Sequence, residues 1–293
     1  MLKRVLALSA LSLAGGLGLV GATSAGADVT VGAPTPGGAV FLATDMKGTN
    51  APPADLDGTG RVIVRIQGVQ VCFLIEWNNI LTPFTGHIHA GAAGVNGPVV
   101  VGFWSGQLPT TITGVTGCAM STSTALAPIL ANPAAFYANV HNTAFPGGAI
   151  RGQLRRLNRG VDFNQVLRQP LLGLMDGMQE VPAAGDPDGR GVAFIGLRST
   201  TSVRFAFTWS AIAAPTAGHI HSGAVAQAGP VVVPLFAAPA GLPTGLNGVI
   251  GVTTASAAVV RSIRTNPSGF YANLHNVEFP AGAIRGQLSH FGD

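Results

Sequence analysis

The sequence predicts an all-β fold: two tandem antiparallel β-sandwich or barrel-like modules, each with one short helix. Three observations predict it. A long internal repeat divides the chain into two similar halves. Apolar residues alternate with period two in the best-patterned runs, the pattern of a half-buried strand. The 41 glycines and 20 prolines cut those runs into short pieces, as turns between many strands do.

The repeat is clearest near the end of each half. Phe136-Tyr137-Ala138-Asn139-Val140-His141-Asn142 returns as Phe270-Tyr271-Ala272-Asn273-Leu274-His275-Asn276. Both runs continue through Phe-Pro into Ala-Ile-Arg-Gly-Gln-Leu, at residues 149–154 and 283–288. Upstream, Gly86-His87-Ile88-His89 matches Gly218-His219-Ile220-His221, and Gly97-Pro98-Val99-Val100 matches Gly229-Pro230-Val231-Val232. The offset is 132 residues at Trp77 and 134 at Phe136, so the copies differ mainly by small loop insertions. A period this long marks duplicated domains, because solenoid repeats run to about 20–50 residues.

In order along each copy, residues 62–66 and 192–197 read as the first strand of a hairpin. The partner follows: Val69, Val71, Phe73, Ile75 and Trp77 alternate with Gln70, Cys72, Leu74 and Glu76. In the second copy Val203, Phe205, Phe207 and Trp209 alternate with Arg204, Ala206 and Thr208. Runs at residues 99–103 and 231–235 add a strand. The two terminal blocks supply two more, split by the Phe-Pro turns. A helix is expected at residues 125–131, with Pro128 in its first turn, where no helical hydrogen bond is lost. Its counterpart at residues 256–265 sets Val259, Val260 and Ile263 on one face, with Pro267 closing it. Asp57-Gly58 and Asp188-Gly189 are turn signals. The Asp-x-Asp-Gly runs around them lack the other ligands and closing Glu of a calcium loop.

Lys3 and Arg4, the apolar run at residues 5–20 and Ala25-Gly26-Ala27 read as a secretory signal cut before Asp28. The apolar run is shorter and richer in glycine than the about 20 residues of a spanning helix, and no later stretch escapes interruption. No membrane span is therefore expected, and the mature protein belongs outside the cytoplasm. The expected division is signal 1–27, module one 28–158, linker 159–170 and module two 171–293. The linker has little to pack, so the modules are expected to fold independently. Without Lys3 and Arg4, 14 basic groups stand against 12 acidic ones, a net of +2. That is too weak and too scattered for nucleic acid.

The combined motifs, G-H-I-H then G-P-V-V, F-Y-A-N-x-H-N and G-A-I-R-G-Q-L, resemble the CHRD (chordin) domain, here in tandem; the resemblance is to the bacterial secreted type. Gln179-Glu180-Val181-Pro182 resembles the start of that domain, and module one departs from it with Thr49-Asn50-Ala51-Pro52. The resemblance implies an extracellular β-sandwich-like module and supplies no catalytic residue.

Cys72 and Cys118 are the two cysteines, both in module one, and an even pair in an exported chain is expected to form a disulfide. Arg204 and Val252 replace them in module two, so the module folds without the bridge. Arg151, Gln153, Arg285 and Gln287 are expected to hydrogen-bond loop carbonyls, because few carboxylates exist to pair them. Six of the seven histidines occupy equivalent positions. Strand parity sets His87 and His89 on one face with Ile88 on the core side, and sets Tyr137, Asn139 and His141 together. If the two strands are neighbours, His87, His89 and His141 form one cluster, and His219, His221 and His275 another. Imidazole is a good ligand for copper and zinc.

Three function classes follow. The leading one is an exported, non-catalytic binding or structural protein with an extracellular or cell-envelope ligand. The alternative is a copper- or zinc-binding protein with one three-His site per module, its H-x-H strand similar to the copper ligation of Cu/Zn superoxide dismutases. Hydrolysis finds no support, for there is no G-x-S-x-G, no duplicated carboxylate pair and no free thiol.

Overall fold

The computed structural model describes residues 38–50 and 54–291. The signal segment and its cleavage after Ala27 lie outside the described residues. Module one contains β1 (Val40–Lys47), β2 (Thr59–Gln67), β3 (Gln70–Asn78), β4 (Thr85–Ala90), β5 (Val99–Ser105), β6 (Ile112–Met120), α1 (Ser123–Ala131), β7 (Phe136–His141), β8 (Ile150–Gln153) and β9 (Arg155–Arg156). A connecting helix, α2 (Phe163–Leu167), leads into module two. There the same order recurs: β10 (Leu171–Asp176), β11 (Arg190–Leu197), β12 (Ser202–Ser210), β13 (Ala217–Ser222), β14 (Val231–Ala237), β15 (Leu246–Thr254), α3 (Ala257–Thr265), β16 (Phe270–His275), β17 (Ile284–Gln287) and β18 (Ser289–His290).

All pairings are antiparallel. In module one the hydrogen-bonded order is β5-β4-β7-β8-β1-β2-β3-β6, with β9 continuing β8 along β1. Module two repeats it as β14-β13-β16-β17-β10-β11-β12-β15. Each sheet folds over on itself: Phe73 of β3 meets Phe103 of β5 with ring centroids 4.7 Å apart. Among the described residues no ladder joins β5 to β6, so the module is a sandwich-like, unclosed barrel. The inner face carries the predicted set, including Val71, Phe73, Ile75, Ile88, Val140 and Ile150.

The modules are not separate beads. β6 pairs with β15, with Val115 opposite Val249 and Gly114 opposite Ile250. Two eight-stranded sheets thereby become one continuous sheet. Its outer face would expose Ile63, Cys72, Leu74, Phe194, Ala206 and Ile250, and Phe163 and Leu167 of α2 cover them. Two expectations are corrected here. The linker does pack, because burying that apolar outer face removes it from water. And β3 and β12 are not half-buried: Leu74 and Ala206, on their outer sides, are each 1 % exposed.

The helices need a smaller correction. Thr122 caps α1, its hydroxyl accepting a hydrogen bond from the Ala125 N–H at 3.1 Å, so the helix begins earlier than expected and Pro128 falls inside it. Ser256 caps α3 in the same way. The Cys72–Cys118 disulfide is formed, between directly opposed residues of β3 and β6. In module two Arg204 sits opposite Val252 and pairs with Glu76 of module one.

Candidate metal centre

β4 and β7 are neighbours, with His87 opposite Asn139, His89 opposite Tyr137 and Thr85 opposite His141. Alternation turns all three imidazoles to the face away from Ile88, which is fully buried. The rings of His87 and His141 lie 5.0 Å apart by centroid, and those of His89 and His141 5.7 Å. β13 and β16 reproduce the set, at 4.9 Å for His219 and His275 and 5.9 Å for His221 and His275. In each group the nitrogens lie within 4.8 Å of one another. The structure therefore brings all six predicted histidines into two clusters.

Loops cover the clusters, so these rings are not simply solvent-facing; His89 and His141 are buried. The covering loops fix the rings through their backbone. His89 Nδ1–H donates to the Gly97 carbonyl at 2.9 Å, and His141 Nδ1–H donates to that of Pro146 at 3.0 Å. Module two repeats both, His221 to Gly229 at 2.9 Å and His275 to Pro280 at 3.1 Å. This explains the Gly of G-P-V-V. A Cβ on Gly97 would lie 1.5 Å from the Ala90 carbonyl oxygen, so only glycine lets the loop approach.

With Nδ1 carrying the proton, Nε2 of His89 and of His141 presents a bare lone pair. His89 Nε2 is buried and has no hydrogen-bond partner. In module one the third ring is fixed as well. Thr85 Oγ1 donates to the Trp104 carbonyl at 2.6 Å, so it accepts from His87 Nε2–H at 3.1 Å. His87 Nδ1 is then bare and faces His141 Nε2 at 3.2 Å. Two lone pairs meeting without a proton between them repel; a cation between them removes the repulsion. Bonds of 2.0–2.1 Å at the tetrahedral angle set nitrogens about 3.3 Å apart, close to this spacing.

Electrostatics keep the rings uncharged. Burial, and then the neighbouring imidazoles of His141 and His89, lower the pKa of His87 to about 4. Burial, His275 and His221 do the same to His219, also to about 4. Burial lowers the remaining four. Neutral imidazole is the ligating form. Behind each cluster lies a stack that the sequence reading did not identify. Tyr137 lies flat on His89 at 5.0 Å, and the Arg151 guanidinium lies over the Tyr137 ring at 4.9 Å. Tyr271, His221 and Arg285 repeat it. As expected, Gln153 and Gln287 donate to loop carbonyls, those of Gly91 and Gly223 among them.

The CHRD-domain model matches residues 42–154 and again residues 173–288. The chain belongs to the CHRD family. No curated protein and no solved structure matches it. Tandem CHRD domains support a non-enzymatic binding or structural protein, and no helix among the described residues is long and apolar enough to cross a membrane. In CHRD terms, the repeated H-x-H and Asn-x-His strands are the pair that carries the histidines, and the G-P-V-V and Phe-Pro loops supply the carbonyls that orient them. The Asp-x-Asp-Gly runs are turns: the Gly58 N–H donates to the Asp55 carbonyl, and that of Gly189 to Asp186.

Proposed function

We propose that this is an exported metal-binding protein, each CHRD module holding one copper or zinc ion on three histidines. His87 Nδ1, His89 Nε2 and His141 Nε2 are the ligands of the first module, and the same atoms of His219, His221 and His275 those of the second. The observation that carries the reading is the facing pair of bare nitrogens, His87 and His141, in a ring of outer hydrogen bonds that leaves the cluster acceptors only. Three neutral ligands leave a fourth position for water or a partner's donor atom at the cell envelope or in the medium. Export is expected from the signal-like pattern of Lys3, Arg4, the apolar run and Ala25-Gly26-Ala27, and it suits the disulfide, which persists in oxidising compartments.

Protein purified untagged from the exported fraction, stripped and reloaded with copper or zinc, should hold two ions per chain by elemental analysis. The double variant His87→Ala/His89→Ala should hold one. A folded wild-type protein that takes up neither metal refutes the reading. Assaying the copper form for superoxide dismutation separates plain binding from a redox role.

A further inference from the structure

We infer that the two centres are tuned apart, module one holding its ion tightly and module two exchanging it. This rests on the metal-centre reading above and adds a direction to it. Ring for ring, the outer hydrogen bonds of the two clusters agree, with one exception. Thr85 of module one is Ala217 in module two. Thr85 Oγ1, locked by its bond to the buried Trp104 carbonyl, fixes His87 with the proton on Nε2 and the lone pair on Nδ1. The methyl of Ala217 accepts nothing. Among the described residues no protein group bonds His219 Nε2, and the one hydrogen-bond-range contact of the ring is Nδ1 to His275 Nε2 at 3.1 Å.

His219 is therefore free to carry its proton on Nδ1, the atom that must be bare to bind. Each ion entering module two must select the competent tautomer and ring orientation, which module one holds ready. Outer partners of metal-bound histidines are worth about 10- to 100-fold in affinity. A weaker contribution runs the other way. Glu180 faces Arg285 and offsets part of its charge, whereas module one has Asn50 at that position. It acts through Tyr271, one ring removed from the ligands, while Thr85 touches a ligand directly, so the hydroxyl decides the order. His275, half-buried where His141 is buried, adds to the same asymmetry.

Two single-site proteins test this. His219→Ala/His221→Ala leaves the first centre, and His87→Ala/His89→Ala leaves the second. Zinc is titrated against a competing chromophoric chelator. The first protein is expected to bind zinc about 10- to 100-fold more tightly. Adding Thr85→Ala to it should abolish most of that advantage, Thr85→Ser should retain it, and Ala217→Thr in the second protein should raise its affinity. Affinities within twofold of each other, unmoved by Thr85→Ala and by Ala217→Thr, overturn the inference while leaving the metal reading intact. Failure of both proteins, and of the wild type, to bind zinc or copper overturns the metal reading and this inference with it.

Discussion

The Nδ1 of His87 lies 3.2 Å from the Nε2 of His141, and neither atom has a proton to offer the other once their outer hydrogen bonds are made. A cation relieves that opposition, so ion binding should stabilise the native fold rather than merely decorate it. With free zinc at about 100 times its dissociation constant, each occupied centre adds about 2.7 kcal/mol. Thermal melts with zinc and with a chelator should therefore differ by several degrees, and the difference should shrink in the His87→Ala/His89→Ala variant. Coincident melts would contradict a native-state site.

Glu180 supplies a pH signature. Burial, against the pull of Arg285 and Asn273, raises its pKa from 4.5 to about 7. The unfolded chain ionises this carboxyl first, so the group's cost to stability is absent below about pH 4.5 and complete above about pH 7. Glu180→Gln removes the cost. The stability of the variant relative to wild type should rise with pH across that window, by on the order of 3 kcal/mol, in urea melts at several pH values. Parallel curves would show that Glu180 is solvated.

The disulfide belongs to module one alone. Cys72 and Cys118 are 46 residues apart in sequence, and closing a loop of that length restricts the unfolded chain by about 4 kcal/mol. Replacing both by serine should lower stability by up to about that amount in denaturant melts. Metal stoichiometry should not change, because β3 and β6 carry no ligand. A variant as stable as wild type would mean that the bridge does not restrain unfolding.

Separated modules should seek each other. Fragments 28–158 and 165–293 expose the β6 and β15 edges and the apolar residues beneath α2. Mixed, they are expected to form a one-to-one complex; alone, each should pair with its own copy through the same edge. Light scattering after gel filtration distinguishes these states. Two stable, non-associating monomers would restore the expectation of independent modules.

The sequence disclosed what alternates and repeats. Period two in β3, β4 and β7 identified the core side, and parity alone grouped His87 with His89 and His141, because a pleated strand turns every second side chain the same way. β6 and β15 were hidden by glycine. Gly114 and Gly117, with Gly248 and Gly251, weaken strand propensity, yet a Cβ on Gly117 would lie 2.2 Å from the Gly245 carbonyl oxygen of the other module. That crowding comes from a segment more than a hundred residues away, and no local pattern reports it. The burial of Leu74 was hidden for the same reason. Thr85 reads as an ordinary strand residue until the Trp104 carbonyl is placed beside it.

Val115 and Val249 are the same position of the repeat, and they face one another across the seam between β6 and β15. Gly114 opposite Ile250 is mirrored by Thr116 opposite Gly248, so exchanging the copies maps the seam onto itself. Two unlinked chains joined this way would form a twofold dimer, in which any substitution alters both halves at once. A single chain lifts that bond between the halves. Thr85 can stand against Ala217, and a disulfide against the Arg204–Glu76 ion pair, without disturbing the shared axis. Fusion has turned a pair of sites obliged to be identical into two that are free to diverge at a fixed separation.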